Sequence, residues 1–435
     1  MTRPANLIFF TGENHCQRVL GAYGHPVVRT PHLDRLAARG ALFRNAYCSS
    51  PLCCPARASL ATGRYSHETG YWENSTAYDG SVPSWMHRLR DGGHEVVAIG
   101  KLHYRATEDD NGFTEEIVPM HILDGIGGLF GLLRGSGEEP VRDGNWQMYV
   151  TDCGAGSTDY QAYDRDITRR AVRWLHEHAA KSNRPWVLCV NHVSAHPPFR
   201  IPRELLDLYP PASVPPPVAW RKDERPRHPA IEHLRRILGS HDDLDEHTMR
   251  RVSAAYFALV THLDEQVGQV LAAAEALDLL DHTRIVYTAD HGDSFGNHYI
   301  FGKFNLYERA VAVPLIMAGP EIPAGRPITQ LVSHVDLFPT IVEGMGAALH
   351  PADGNLAGDP AHSATLEALE AQLRAIVDPE AVDERAKAEQ RAKAAEFGGT
   401  AAILERGGIP YTPAPGAEVR FVPVTAAHSE HSENG

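Results

Sequence analysis

A chain of 435 residues, 43% hydrophobic and 22% charged, is long enough to bury a full core and has the balance of a globular protein, neither disordered nor membrane-embedded. Its formal charge of -14 argues against non-specific attachment to nucleic acid or to an anionic membrane, since both rely on lysine and arginine to neutralise phosphate. Met1 to Asn6 runs into an apolar stretch too short for a signal h-region, and the six cysteines follow neither zinc-ribbon nor disulfide-framework spacing. A cytoplasmic chain with free, core-filling thiols is therefore expected.

In chain order, Leu7 to Thr11 predicts a buried strand that ends in Gly12-Glu13-Asn14-His15. Thr30 to Gly40 has a cap residue, a proline at the first helical position, apolar residues at helical spacing and a terminal glycine, so it predicts a helix. A second helix opens near Arg57. Val96 to Ile99 is another buried strand, ending in Gly100-Lys101-Leu102-His103. The helix Tyr163 to Ala180 precedes the strand Trp186 to Val193, which leads to His196. Pro202 to Pro229, rich in proline and charge, reads as a surface excursion. A long helix from Glu246 to Leu277 follows, then the strand Thr283 to Ala289 ending in Asp290-His291-Gly292-Asp293, the strand Val313 to Ala318 and the helix Asp336 to Gly344. This alternation predicts an α/β fold, with a mainly parallel central sheet and helices on both faces.

The carboxyl ends of parallel strands lie along one edge, so Glu13, Asn14, Lys101, His103, His196, Asp290 and His291 are expected to converge there. Carboxylate and imidazole suit a divalent cation, and lysine and histidine suit an oxyanion. Each piece alone is as readily an ordinary loop, because aspartate and glycine favour turns on their own account. It is the recurrence at successive strand ends that points to a site.

The segment Ser50-Pro51-Leu52-Cys53-Cys54-Pro55-Ala56-Arg57, continuing to Thr62-Gly63-Arg64, closely resembles the sulfatase signature C-x-P-x-R followed by a helix and T-G-R. Only Cys53 has proline two residues on and arginine four residues on. A residue at a helix N-terminus also faces unpaired N–H groups that favour an anionic nucleophile and an anionic substrate. Gly100-Lys101-Leu102-His103, the motif at His196, and Asp290-His291-Gly292-Asp293 leading to Gly302-Lys303 resemble further family blocks in the same order.

That resemblance implies an alkaline-phosphatase-like fold and hydrolysis of sulfate monoesters. Cys53 would be converted to formylglycine by a maturation enzyme, and its hydrate would attack sulfur. Arg57 would support the nucleophile, while Lys101, His103, His196 and Lys303 would surround the sulfate. Glu13, Asn14, Asp290 and His291 would hold one divalent metal, calcium first, with magnesium or manganese as alternatives. Glu13 and Asn14 stand where many relatives have paired aspartates. The leaving group would meet loops around Glu73 to Ser81, Met120 to Arg134 and Pro202 to Pro229, and a small anionic ester is the expected substrate.

Residues 1–346 read as the catalytic domain, and 347–415 as a shortened C-terminal part with helices over Ala361 to Val377 and Pro379 to Phe397. Residues 416–435 read as an unstructured tail. The family's small C-terminal antiparallel subdomain is expected to be reduced or missing, and a homo-oligomer would cover the side it leaves open. Two other readings are a phosphonate monoester or phosphodiester hydrolase of the same superfamily, and a non-catalytic sulfatase-like protein.

Overall fold

In a computed structural model of the protein, the residues described are 6–133, 143–240, 243–349, 374 and 376–422. Eight strands make the main sheet: β1 (Asn6–Gly12), β2 (Gly40–Tyr47), β3 (Glu95–Lys101), β4 (Glu115–Met120), β5 (Trp186–Asn191), β6 (Thr283–Ala289), β7 (Leu315–Ala318) and β8 (Arg326–Ser333). Their order is β8-β2-β7-β6-β1-β5-β3-β4, and every neighbouring pair is parallel except the two made by β7. Along β1, Ile8 and Phe10 enter one apolar cluster, whereas Leu7 and Phe9 enter another on the opposite face. Both phases of the strand repeat are therefore buried, which is why the central strands read as unbroken apolar runs.

Helices α1 (Pro31–Ala38), α4 (Asp159–Glu177) and the second half of α5 (Glu246–Ala276) cover the first face. Helices α2 (Cys53–Thr62), α3 (Trp85–Asp91) and α6 (Leu337–Gly344) cover the other. The first half of α5, from Met249 to Val260, forms a third cluster with Tyr149, Phe199 and Phe295 beside the carboxyl edge. The Asp245 side chain caps α5 by accepting the Thr248 N–H at 2.7 Å. The doubly covered, mainly parallel sheet agrees with the sequence expectation. Strands β2, β4 and β8 were not expected: β4 and β8 are the two edges, β8 is largely exposed, and the interior β2 is broken by Arg44 and Asn45, so none carries the apolar run of a central strand.

Helix α2 begins at Cys53 itself, four residues before the expected opening, and all ten of its residues are buried. Ala58 and Ala61 keep it slim where it packs in one apolar cluster with α6. At its end Gly63 has φ +65, and a Cβ there would stand 2.6 Å from Phe338 Cβ, so both conformation and space require glycine. The expected helix from Pro379 appears as α7 (Pro379–Glu396), followed by α8 (Gly399–Arg406). Most of Ala361 to Val377, and the stretch where the antiparallel subdomain is expected to be reduced, lie outside the described residues. The start of the expected tail is ordered by pairing: Val422 exchanges two backbone hydrogen bonds with Gly408, at 2.7 and 3.0 Å. All six cysteines are buried and unpaired, as expected.

One buried group links α4 to the carboxyl edge. Asp164 accepts the N–H groups of Val193 (2.7 Å) and Ser194 (3.1 Å) and the Ser194 hydroxyl (2.6 Å). Burial pushes its carboxyl up to about 6 against these donors. Asp164→Ala strands them, so urea unfolding should show a loss of about 2–3 kcal/mol.

Candidate active site

The ends of β1, β3 and β6 and the tip of α2 meet around one buried carboxylate. Glu13, fully enclosed, has Lys101 Nζ on Oε2, with Arg57 Nη2 at 3.4 Å from the same oxygen. Its Oε1 accepts from the Cys53 thiol at 3.3 Å and lies 3.8 Å from His196 Nε2. Burial alone would raise this carboxyl, yet Lys101, His196, Arg57 and Lys303 hold it well below the usual carboxylate range.

Arg57 bridges the two acidic strand ends. Its Nε donates to Asp290 Oδ2 at 3.1 Å and its Nη1 to the Lys101 carbonyl at 3.0 Å. The other Asp290 oxygen accepts the N–H groups of Asn14 (3.1 Å) and His291 (2.8 Å). Asn14 adopts φ +54, a conformation asparagine tolerates better than most residues. Its amide oxygen accepts from Lys303 Nζ at 2.9 Å, and its amide nitrogen donates to Asp293 Oδ2 at 2.7 Å.

Cys53 lies at the first position of α2 with Lys303 Nζ at 3.1 Å and His291 Nε2 at 3.4 Å from its sulfur. Burial pushes the thiol up to about 11, with Lys303 opposing the shift. His291 donates Nδ1–H to the Gly292 carbonyl at 2.9 Å, and burial lowers its pKa to about 4, so the neutral ring turns the Nε2 lone pair toward Cys53. His196 is arranged in the same way: Nδ1–H donates to the Pro197 carbonyl at 2.7 Å, and burial and Lys303 keep the ring neutral. His103, at φ +58, sets Nδ1 3.6 Å from the Cys54 sulfur and Nε2 2.8 Å from Thr412 Oγ1.

All ten residues expected at the site thus lie together. The sequence reading missed Asp293, which also accepts from Tyr149 at 2.5 Å, and it missed Thr412. The acidic residue closing Asp290-His291-Gly292-Asp293 was a signal for the first; the second sits in a segment without a motif. A cation has donors to meet here: atoms of Cys53, Asp290 and His291 lie within 4.8 Å of one another, as do atoms of Glu13, Cys53 and His196. The Nε2 lone pair of His291 is what a metal ligand presents, and its second-nitrogen bond to Gly292 is the usual support for one. The donor chemistry suits a divalent ion, with Asp290 and His291 in one of these groups and Glu13 in the other, while the Asn14 amide oxygen accepts from Lys303.

Cys53, Lys101, His103, His196 and Lys303 open into a cavity of about 650 Å³. Its outer walls include Trp72, Leu129, Phe130, Leu234, Phe304 and Tyr411. Two of the loops expected to meet a leaving group contribute, through Glu73 with Asn74 and through Ile122 with Gly127 to Gly131. The third does not line the cavity: its Tyr209, Val214 and Trp220 are buried in the cluster formed by the first half of α5, and the wall comes instead from Ala230, His233, Leu234, Ile237 and Leu238 just after it.

The sulfatase family model matches residues 5–347. The chain belongs to the sulfatase family. It is 33% identical over 337 residues to a choline-sulfatase of Rhizobium meliloti (strain 1021), covering 74% of this chain and 64% of that protein. It is 26% identical over 371 residues to arylsulfatase K of Canis lupus familiaris, covering 81% and 65%. The chain thus spans a little under two thirds of the length of these relatives. Among solved structures, its fold resembles a phosphonate monoester hydrolase of Agrobacterium radiobacter (TM-score 0.64, 23% identity, 82% of this chain and 78% of that one). It also resembles a 2-O GAG sulfatase (TM-score 0.63, 23% identity, 82% and 74%). These likenesses establish the alkaline-phosphatase-like fold.

The Arg57 bridge yields a stability prediction. Arg57→Ala leaves two enclosed carboxylates without their shared cation, so urea unfolding in metal-free buffer should show a loss of about 3–5 kcal/mol. Arg57→Lys should recover only part of it, because one ammonium does not reach Glu13, Asp290 and the Lys101 carbonyl together.

Proposed function

We propose that the chain hydrolyses sulfate monoesters, with Cys53, converted to formylglycine by a maturation enzyme, as its nucleophile. The observation that carries this reading is the placement of the Cys53 sulfur at the tip of α2, between Lys303, His291 and Glu13, in a cavity that Lys101, His103, His196 and Lys303 also line. One hydroxyl of the hydrated aldehyde attacks sulfur and gives up its proton as the bond to the leaving oxygen breaks, and the leaving oxygen takes up one proton in exchange. The remaining hydroxyl then loses its proton, the aldehyde re-forms, and sulfate departs. Lys101 and Lys303 bind the sulfate oxygens, with His103 and His196 lining the cavity beside them. Neutral His196, with Nε2 free, receives the proton of the second step. A divalent ion held by Asp290, His291 and Glu13 would supply charge stabilisation at the nucleophile and the ester. The largely apolar and aromatic outer wall favours a leaving group with an apolar face over one that is all hydroxyls.

The Asp290 and His291 pair also supports a second reading, phosphonate monoester or phosphodiester hydrolysis by the same nucleophile. One preparation co-expressed with a formylglycine-generating enzyme separates the two. Mass spectrometry should show the Cys53 peptide as the aldehyde, and kcat/KM should be highest for an aryl sulfate, lower for a sulfated monosaccharide and for phenyl phosphonate esters. Cys53→Ala should abolish turnover. A higher kcat/KM for the phosphonate ester would shift the assignment to the second reading, and a fully oxidised but inert protein would leave the non-catalytic one.

Metal binding has its own readout. Calcium at about 100 times its Kd should stabilise the fold by roughly 2.7 kcal/mol, seen as a higher Tm. Asp290→Asn combined with His291→Ala should remove that increment.

A further inference from the structure

The family match ends at residue 347, yet a segment far beyond it reaches back to the site. After α8 the chain pairs Gly408 with Val422 and passes over the cavity through Ile409, Pro410, Tyr411 and Thr412. Three contacts fasten it. The Tyr160 hydroxyl donates to the Thr412 carbonyl at 2.6 Å, and the Tyr411 ring meets Tyr160 edge-on at 5.2 Å. The Thr412 hydroxyl lies 2.8 Å from His103 Nε2. Tyr160 in turn meets the His196 ring edge-on at 5.7 Å, so one anchor serves both His103 and His196.

The geometry points to Thr412 as a positioning residue of the active site, one that fixes the ring orientation of His103. This rests on the sulfatase reading for its kinetic consequence alone. A histidine ring on a loop is free to turn about its outer torsion, and the two edges present different nitrogens. At His103 the backbone is already held in the left-handed region and Nδ1 faces the weak partner Cys54, so the strong bond that decides the ring is the one to Thr412. The threonine hydroxyl can donate or accept, and its own orientation is limited by its β-branch and by the Tyr160 bond to its carbonyl. A ring out of place by about an ångström costs on the order of a hundredfold in rate where it touches the reacting group.

Thr412→Val keeps the shape and removes the hydroxyl, and Thr412→Ser keeps the hydroxyl. With an aryl sulfate, Thr412→Val should lower kcat about tenfold with KM changed less than threefold, and Thr412→Ser should stay within twofold of the parent. In a His103→Ala background, Thr412→Val should have no further effect. Independently of turnover, the imidazole nitrogen resonances of His103, assigned by their loss in His103→Ala, should shift in Thr412→Val and return in Thr412→Ser. Unchanged resonances and kinetics in a folded Thr412→Val protein would overturn the assignment. If the parent turned over no ester at all, the function proposed above would fail, while the resonances would still decide the role of Thr412.

Discussion

The site depends on one arrangement of buried charge: two acidic strand ends, Glu13 and Asp290, tied through a guanidinium that arrives from the second turn of α2. A carboxylate without water is costly unless it is paired and hydrogen-bonded, and each oxygen here has partners. Arg57 cannot bridge both acids unless α2 lies flush against the sheet edge. The same docking that neutralises them therefore puts Cys53 at their mouth. The placement of Cys53 and charge balance are thus a single structural fact, and the all-buried helix is what permits it.

The left-handed residues fit the same logic. Asn14 and His103 each turn the chain sharply just past a strand, so the backbone leaves the sheet while the side chain stays at its edge. Such conformations cost on the order of 1–3 kcal/mol each and persist only where surrounding contacts fix them. Asn14 is held through Asp290, Asp293 and Lys303, and its amide works as a bracket between lysine and acid.

Much of this was legible in the residue order, for identifiable reasons. Central parallel strands such as β1 and β6 are apolar in both phases and end in polar clusters, so both the strand and its delivered side chains can be read directly. The C-x-P-x-R spacing at Cys53 did the same for α2. Edge strands carry no such mark: β8 is mostly exposed, and β4 opens on two glutamates and contains Pro119. The cavity wall was legible only in part, because its outer half comes from Leu234, Tyr411 and Thr412, which converge through folding over hundreds of residues. No local pattern announces a threonine that meets a histidine 309 positions away.

A helix with no exposed residue also imposes an order of events on this chain. Any catalyst too large to enter a cavity of about 650 Å³ has to reach the Cys53 sulfur before α2 seats against α6. Under the proposed conversion of Cys53, the window for that chemistry closes with tertiary packing, and a chain that collapses too soon is sealed with its thiol unaltered.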